Sequence, residues 1–107
     1  MTPQGLQLPP AQEQLLLELI AQQVPHLQVW AFGSRVKGTA RPSSDLDLVF
    51  FAQDTDQALL GSLREAFEES LLPFAVDLLV WKDISPAFQQ HIEAHYLVLQ
   101  TPLKVGA

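Results

Sequence analysis

The chain has no cysteine in its 107 residues, which excludes a disulfide framework and a thiolate metal site. Positive charge is scarce. Six Lys and Arg stand against twelve Asp and Glu, for a net charge of −6 and a pI of about 4.7. That balance argues against nucleic acid as substrate or template, because phosphate tracks need many cations. It leaves room for a mononucleotide held through a metal ion. No apolar run approaches the ~20 residues of a membrane span. The N-terminus shows no basic stretch followed by an apolar one, so no secretory signal and a cytoplasmic home are expected. What the chain has in quantity is apolar side chain, 48% of residues with a mean hydropathy of +0.13. That excess predicts that some surface meets a partner protein or a second copy, so a homo- or hetero-oligomer is expected.

The length suits one domain. Residues 1–10 read as a loose leader, 11–100 as the domain and 101–107 as a tail. Leu15, Leu16, Leu19, Ile20 and Val24 recur at helical spacing and predict a helix from Ala11 to Gln23, ended by Pro25. Residues 27–32 read as a strand. A short helix starts at Ser34 and closes at Gly38, and 39–44 form a polar loop. Residues 46–52 read as a second strand. Asp54 or Thr55 is expected to cap a helix running to Leu71, and 74–81 form a third strand. Ser85-Pro86 reads as N-cap and first helical residue of a helix to about His95. Val98-Leu99 gives a short terminal strand. The order alternates helix and strand, so an α/β sandwich with helices on a small sheet is expected.

The chemistry concentrates in residues 33–47, GSRVKGTARPSSDLD. The apolar run Val29-Trp30-Ala31-Phe32 enters a Gly-Ser turn, and two aspartates open the next run, Leu48-Val49-Phe50-Phe51. Gly33 permits a tight turn and close backbone approach. Ser34 reads as a helix N-cap, with the amides after it facing an anion. Asp45 and Asp47 are two apart, so on a strand both carboxylates share one face. Side by side they repel unless a cation lies between them. Magnesium suits such a pair, because it takes carboxylate and phosphate oxygens together. Three of the six cations, Arg35, Lys37 and Arg41, fall in this turn, as expected beside phosphate. A lone Asp-x-Asp is common in turns, and Asp45 alone would simply close a loop. Asp47 is different, since aspartate is disfavoured inside an apolar strand. Phe74-Ala75-Val76-Asp77-Leu78-Leu79-Val80-Trp81 repeats the pattern, and Asp77 is the expected third carboxylate, a metal ligand or general base.

Other polar residues read more simply. His91 and His95 share a helix face, but no further ligand accompanies them. Glu65, Glu68 and Glu69 read as the wet side of a helix, Arg64 as a surface residue, and Trp30 and Trp81 as core. Tyr96 reads as packing at the end of the last helix.

These residues resemble the nucleotidyltransferase superfamily that includes DNA polymerase beta. They are more similar still to its small prokaryotic branch, the minimal nucleotidyltransferase antitoxins paired with HEPN-domain toxins. The signature is Gly-Ser, ten residues, Asp-x-Asp, here Gly33, Ser34, Asp45 and Asp47. Gly33-Ser34-Arg35, Gly38-Thr39-Ala40, Ser44-Asp45-Leu46-Asp47 and Val76-Asp77-Leu78-Leu79 share the likeness, which extends from about Leu15 to Gln100. Trp30-Ala31 departs from it, standing where aliphatics are usual.

The resemblance implies a single-domain α/β nucleotidyltransferase fold, a small mixed sheet with helices packed on it. It implies transfer of AMP from ATP to a tyrosine of a HEPN-domain RNase toxin, with a two-metal magnesium site. Asp45, Asp47 and Asp77 would be the catalytic and metal residues. Gly33, Ser34, Arg35 and Ser44 would bind the nucleotide. Nucleic acid and membrane are not expected as partners. Two further readings stand beside this one. The first is an antitoxin that inhibits by covering its partner, with a vestigial site. The second is a small-molecule nucleotidyltransferase of the antibiotic-modifying kind, which the expected lack of an acceptor domain disfavours.

Overall fold

The computed structural model describes residues 6–102. Four strands and four helices alternate. They are α1 (Pro10–Gln23), β1 (Val29–Phe32), α2 (Ser34–Lys37), β2 (Leu46–Phe50), α3 (Gln57–Glu69), β3 (Val76–Val80), α4 (Pro86–Glu93) and β4 (Leu97–Gln100). The sheet order is β3-β2-β1-β4. β1 runs antiparallel to both β2 and β4, while β2 and β3 are parallel. A parallel pair needs a crossover, and α3 supplies it. The expected small mixed sheet with packed helices is what forms.

Alternation along the strands divides the molecule in two. Val29, Ala31, Leu46, Leu48 and Phe50 point to one face and meet Leu16 and Ile20 of α1 and Leu60, Leu63 and Phe67 of α3. Phe32 and Val49 point to the other and meet Ile92 of α4. The second face continues into an aromatic group in which Trp30 stacks on Tyr96, centroids 3.9 Å apart, and Phe51 stacks on Trp81 at 5.0 Å. Both tryptophans are therefore packing residues, as their positions in apolar runs imply. Trp30 Nε1 is nevertheless buried without an acceptor.

Several boundaries differ from the sequence expectation. The strands expected at 27–32, 46–52 and 74–81 are shorter, because buried positions such as Leu27 and Ala52 belong to loops. Neither Asp54 nor Thr55 caps α3. The Gln53 amide donates to the Asp56 carboxylate at 2.8 Å and the Asp56 amide to the Gln53 carbonyl at 2.9 Å around a 3-10 turn, and α3 begins at Gln57. Ser85 does cap α4, accepting from the Phe88 amide at 3.2 Å. Residues 6–9, expected in a loose leader, pack on the fold. Leu6 is buried in the core, and the Gln7 amide donates to the Arg35 carbonyl at 2.7 Å. A single Leu among Gln and Pro has no periodicity to announce it. The rest of the expected leader, 1–5, and most of the expected tail, 103–107, lie outside the described residues. Among the described residues no helix is long and apolar enough to cross a membrane.

Candidate active site

The sheet register brings the motif residues together. Phe32 pairs with Asp47 across β1 and β2, and Asp47 pairs with Asp77 across β2 and β3. Gly33, which follows Phe32, thus sits beside Asp47, and Asp77 flanks it on the other side. Both carboxylates project to the face that the short α4 only partly covers. Asp45 stands just before β2, exposed to solvent.

Gly33 carries a conformation that a side chain cannot share. Its φ is 84° and its ψ −160°, a region open essentially to glycine alone. A Cβ there would also collide with Asp47 Oδ2. Gly33 is itself the N-cap of α2, and Ser34 is the first helical residue with no capping bond. The expected capping role of Ser34 is thus corrected: the glycine turn leads straight into the helix. The Val36 and Lys37 amides both donate to the Gly33 carbonyl at 3.0 Å, which leaves the Ser34 and Arg35 amides outside the bonding of the helix. Gly38, at φ 81°, closes the helix as expected.

Arg35 points inward rather than toward a phosphate. It is 4% exposed. Nε donates to the Ser44 carbonyl at 3.0 Å, Nη1 to Gln7 at 2.9 Å, and Nη2 to Pro42 at 3.0 Å and Arg41 at 3.4 Å. Its guanidinium lies 4.2 Å from the centre of the Phe74 ring. The Ser44 Oγ accepts from the Arg41 amide at 2.8 Å. The Arg35 guanidinium is thus turned to backbone carbonyls rather than to the nucleotide expected of it, while the Ser44 hydroxyl, accepting from Arg41, keeps its own proton to donate.

A cavity of about 700 Å³ opens over this end of the sheet. Gly33, Asp47 and Asp77 line it together with Arg64 and Glu68 of α3 and His91 of α4. The last three were expected to be ordinary surface. His91 lies against Phe88, ring centroids 5.9 Å apart and nearly parallel, and Phe88 packs edge-on to Phe32. Nothing local in the sequence marks Arg64, Glu68 or His91. They reach the cleft only because α3 and α4 lie on opposite faces beside the same edge strand, β3.

The electrostatics are those of crowded carboxylates. Burial raises the Asp47 pKa above the ordinary carboxylate range, and the charges of Asp77 and Asp45 and a hydrogen bond with Asp77 push it the same way. Among the described residues, no three acidic or histidine side chains close into a metal-ligating group. The aspartates are an open, repelling set of hard oxygen donors. A cation that takes one or two carboxylates and completes its shell with water and phosphate oxygens fits such a set.

The family model for the nucleotidyltransferase domain matches residues 14–99. This chain belongs to the nucleotidyltransferase domain family. Its similarity to the probable protein adenylyltransferase MntA of Haemophilus influenzae is 46% identity over 92 residues, 84% of this chain and 81% of that protein. Among solved structures, a toxin–antitoxin complex with AMP-PNP matches with a TM-score of 0.60 and 22% identity, covering 83% of this chain and 73% of the matched chain. The tri-AMPylated Shewanella oneidensis HEPN toxin in complex with MNT antitoxin matches at TM-score 0.52 and 18% identity, over 85% and 71%. At these identities the structural matches speak to the nucleotidyltransferase fold. The motif expected from sequence, Gly33-Ser34 with Asp45 and Asp47, lies inside the family match.

Proposed function

We propose that this chain is a magnesium-dependent protein adenylyltransferase and antitoxin, which moves AMP from ATP to a tyrosine hydroxyl of a HEPN-domain toxin and so silences it in the cytoplasm. The observation that carries the reading is the register that sets Gly33, just past the end of β1, beside Asp47 on β2 and Asp77 on β3 around one cleft. The 46% identical relative bears the name protein adenylyltransferase, and a structural neighbour is an AMPylated HEPN toxin with its antitoxin. Both support the choice of acceptor.

Each residue has a defined task. The Gly33 turn and the first amides of α2 hold the phosphates, and the Ser34 hydroxyl, which caps nothing, adds a donor. Asp45 and Asp47 would hold magnesium against the triphosphate, and Asp77 would complete the site on the acceptor side. Bound there, magnesium supplies charge neutralisation and Lewis acidity for the transfer. Asp77 orients the tyrosine hydroxyl and draws off its proton. The hydroxyl oxygen bonds to the α-phosphorus as the bond to the bridging oxygen breaks, and pyrophosphate leaves with that electron pair. The cleft is open, so the toxin itself forms its remaining wall and excludes water.

The test is to incubate the chain with Mg²⁺, labelled ATP and the HEPN protein encoded beside it, then map the label by mass spectrometry. AMP on a tyrosine of that protein is expected. Label on an aminoglycoside or other small alcohol instead, or toxin inhibition without any label, replaces this function with one of the other two.

A further inference from the structure

Arg35 is the only basic side chain among the described residues that is buried in the fold, and the transfer chemistry above leaves it without a task. Its neighbours are not a random set. Gln7, Arg41, Pro42 and Ser44 contribute carbonyls from two separate stretches of chain, and Phe74 contributes its ring from a third. Arg35, Ser44 and Phe74 each lead to a part of the site. Arg35 itself stands two residues after Gly33. Ser44 immediately precedes Asp45 and the start of β2. Phe74 stands three residues before Asp77 on the way into β3.

We infer that Arg35 is the positioning residue of this active site, a clamp that fixes the phosphate turn, the Asp45–Asp47 segment and the Asp77 strand relative to one another. The planar fork is suited to this work. Arginine presents five donors in a rigid plane and stacks on an aromatic face, whereas lysine offers a single point charge on a flexible stem. The loop at residues 39–44 needs such an anchor. It carries no helix or strand of its own, and its carbonyls at 41, 42 and 44 converge on one guanidinium. Asp45, next in the chain, adds a favourable charge to the same guanidinium. The N-terminal stretch is drawn in as well. The Gln7 amide donates to the Arg35 carbonyl, the Gln7 carbonyl accepts from Arg35 Nη1, and the Gln7 side chain bonds to the Ala40 backbone. These bonds tie the segment to α2 and to the loop at 39–44.

The positional part of this inference stands on the geometry alone, and the catalytic part rests on the adenylyltransferase reading. Arg35→Lys separates them. Circular dichroism first establishes that the variant is folded. Hydrogen exchange followed by mass spectrometry should then show amides in 41–48 and 74–78 exchanging about tenfold faster, with α1 and the core of α3 unchanged. Below the variant's melting temperature, kcat for AMP transfer should fall about 100-fold, as expected for misplacement on the order of 1 Å, with KM for ATP within about threefold. Unchanged exchange in both segments overturns the clamp. An unchanged kcat in the folded variant makes Arg35 a stability residue only. A raised KM with normal kcat makes it a direct nucleotide contact. If Arg35→Lys does not fold, Phe74→Leu replaces it. Loss of the stacking face alone should speed exchange in 74–78 but not in 41–48, and normal exchange with normal kcat overturns the inference. A wild-type chain that labels no protein would sink the adenylyltransferase reading and leave the exchange result to decide the clamp.

Discussion

Asp47 and Asp77 face each other across the parallel pair β2 and β3, register partners on the same side of the sheet. Two carboxylates opposed on neighbouring strands destabilise the fold that contains them. Burial and the charges of Asp77 and Asp45 hold the Asp47 pKa above its ordinary value. A raised carboxylate pKa means that the folded chain binds the proton more tightly than the unfolded chain does. The sign of the stability effect follows: wild-type stability falls as pH rises from the ordinary carboxylate range through the raised pKa.

Asp47→Asn should therefore stabilise the metal-free chain at neutral pH, by on the order of 1 kcal/mol, while abolishing transfer. The advantage should shrink as pH drops below the ordinary carboxylate range, where both chains are uncharged at this position. Thermal denaturation of the two proteins from pH 4 to pH 8 measures it. Equal melting temperatures at pH 7 would remove the repulsion from the account.

Gly33→Ala tests the other neighbour of Asp47. The backbone conformation costs a non-glycine residue ~1–3 kcal/mol, and the added Cβ meets the Asp47 carboxylate. The variant should melt lower and bind Mg·ATP poorly even where it remains folded. By contrast, Gly61→Ala, where a Cβ meets nothing, should be neutral or stabilising in α3. Comparable losses in the two variants would show that the turn is not special.

Nucleic acid should not bind. Arg35 is consumed inside the fold, and Lys82 is paired with Asp54 at 2.5 Å and with Asp83 at 3.5 Å. Among the described residues that leaves Lys37, Arg41 and Arg64 as exposed basic side chains, too few for a strand on a chain of net charge −6. Fluorescence anisotropy with labelled DNA and RNA oligonucleotides should give no affinity tighter than about 10⁻⁴ M at physiological salt. Micromolar binding that weakens steeply with salt would contradict the charge argument.

The motif was legible because its residues break local rules. Glycine after an apolar run and aspartates inside two others make poor strands, so function was the better explanation of each. The sheet and its helices followed from apolar periodicity. Arg35 misled because a cation in a phosphate turn looks the same in sequence whether it points out to an anion or in to carbonyls. Its direction is set by Phe74 and by a loop whose carbonyls need donors, and both are tertiary facts. Arg64, Glu68 and His91 were invisible for a related reason. Each has the spacing of a solvated helix face, and only the placement of α3 and α4 beside β3 brings them to the cleft. Leu6 had no pattern to betray its burial.

Asp77 separates chemistry from binding. It lies at the edge strand β3, on the far side of Asp47 from the Gly33 turn, so it contributes least to holding the triphosphate and most to the incoming hydroxyl. General-base assistance of this kind contributes about 10²–10⁴-fold. Asp77→Asn keeps the shape and removes the base. Single-turnover AMP transfer to the HEPN partner should slow by at least ~100-fold, while Mg·ATP affinity from calorimetry stays within about threefold of wild type. Asp45→Asn should do the reverse in part, weakening Mg·ATP binding directly. The two variants form a matched pair, because both are exposed aspartates in the same negative field. If Asp77→Asn loses nucleotide affinity and transfers normally at saturation, Asp77 belongs with the triphosphate, and the acceptor hydroxyl must find its base on the toxin.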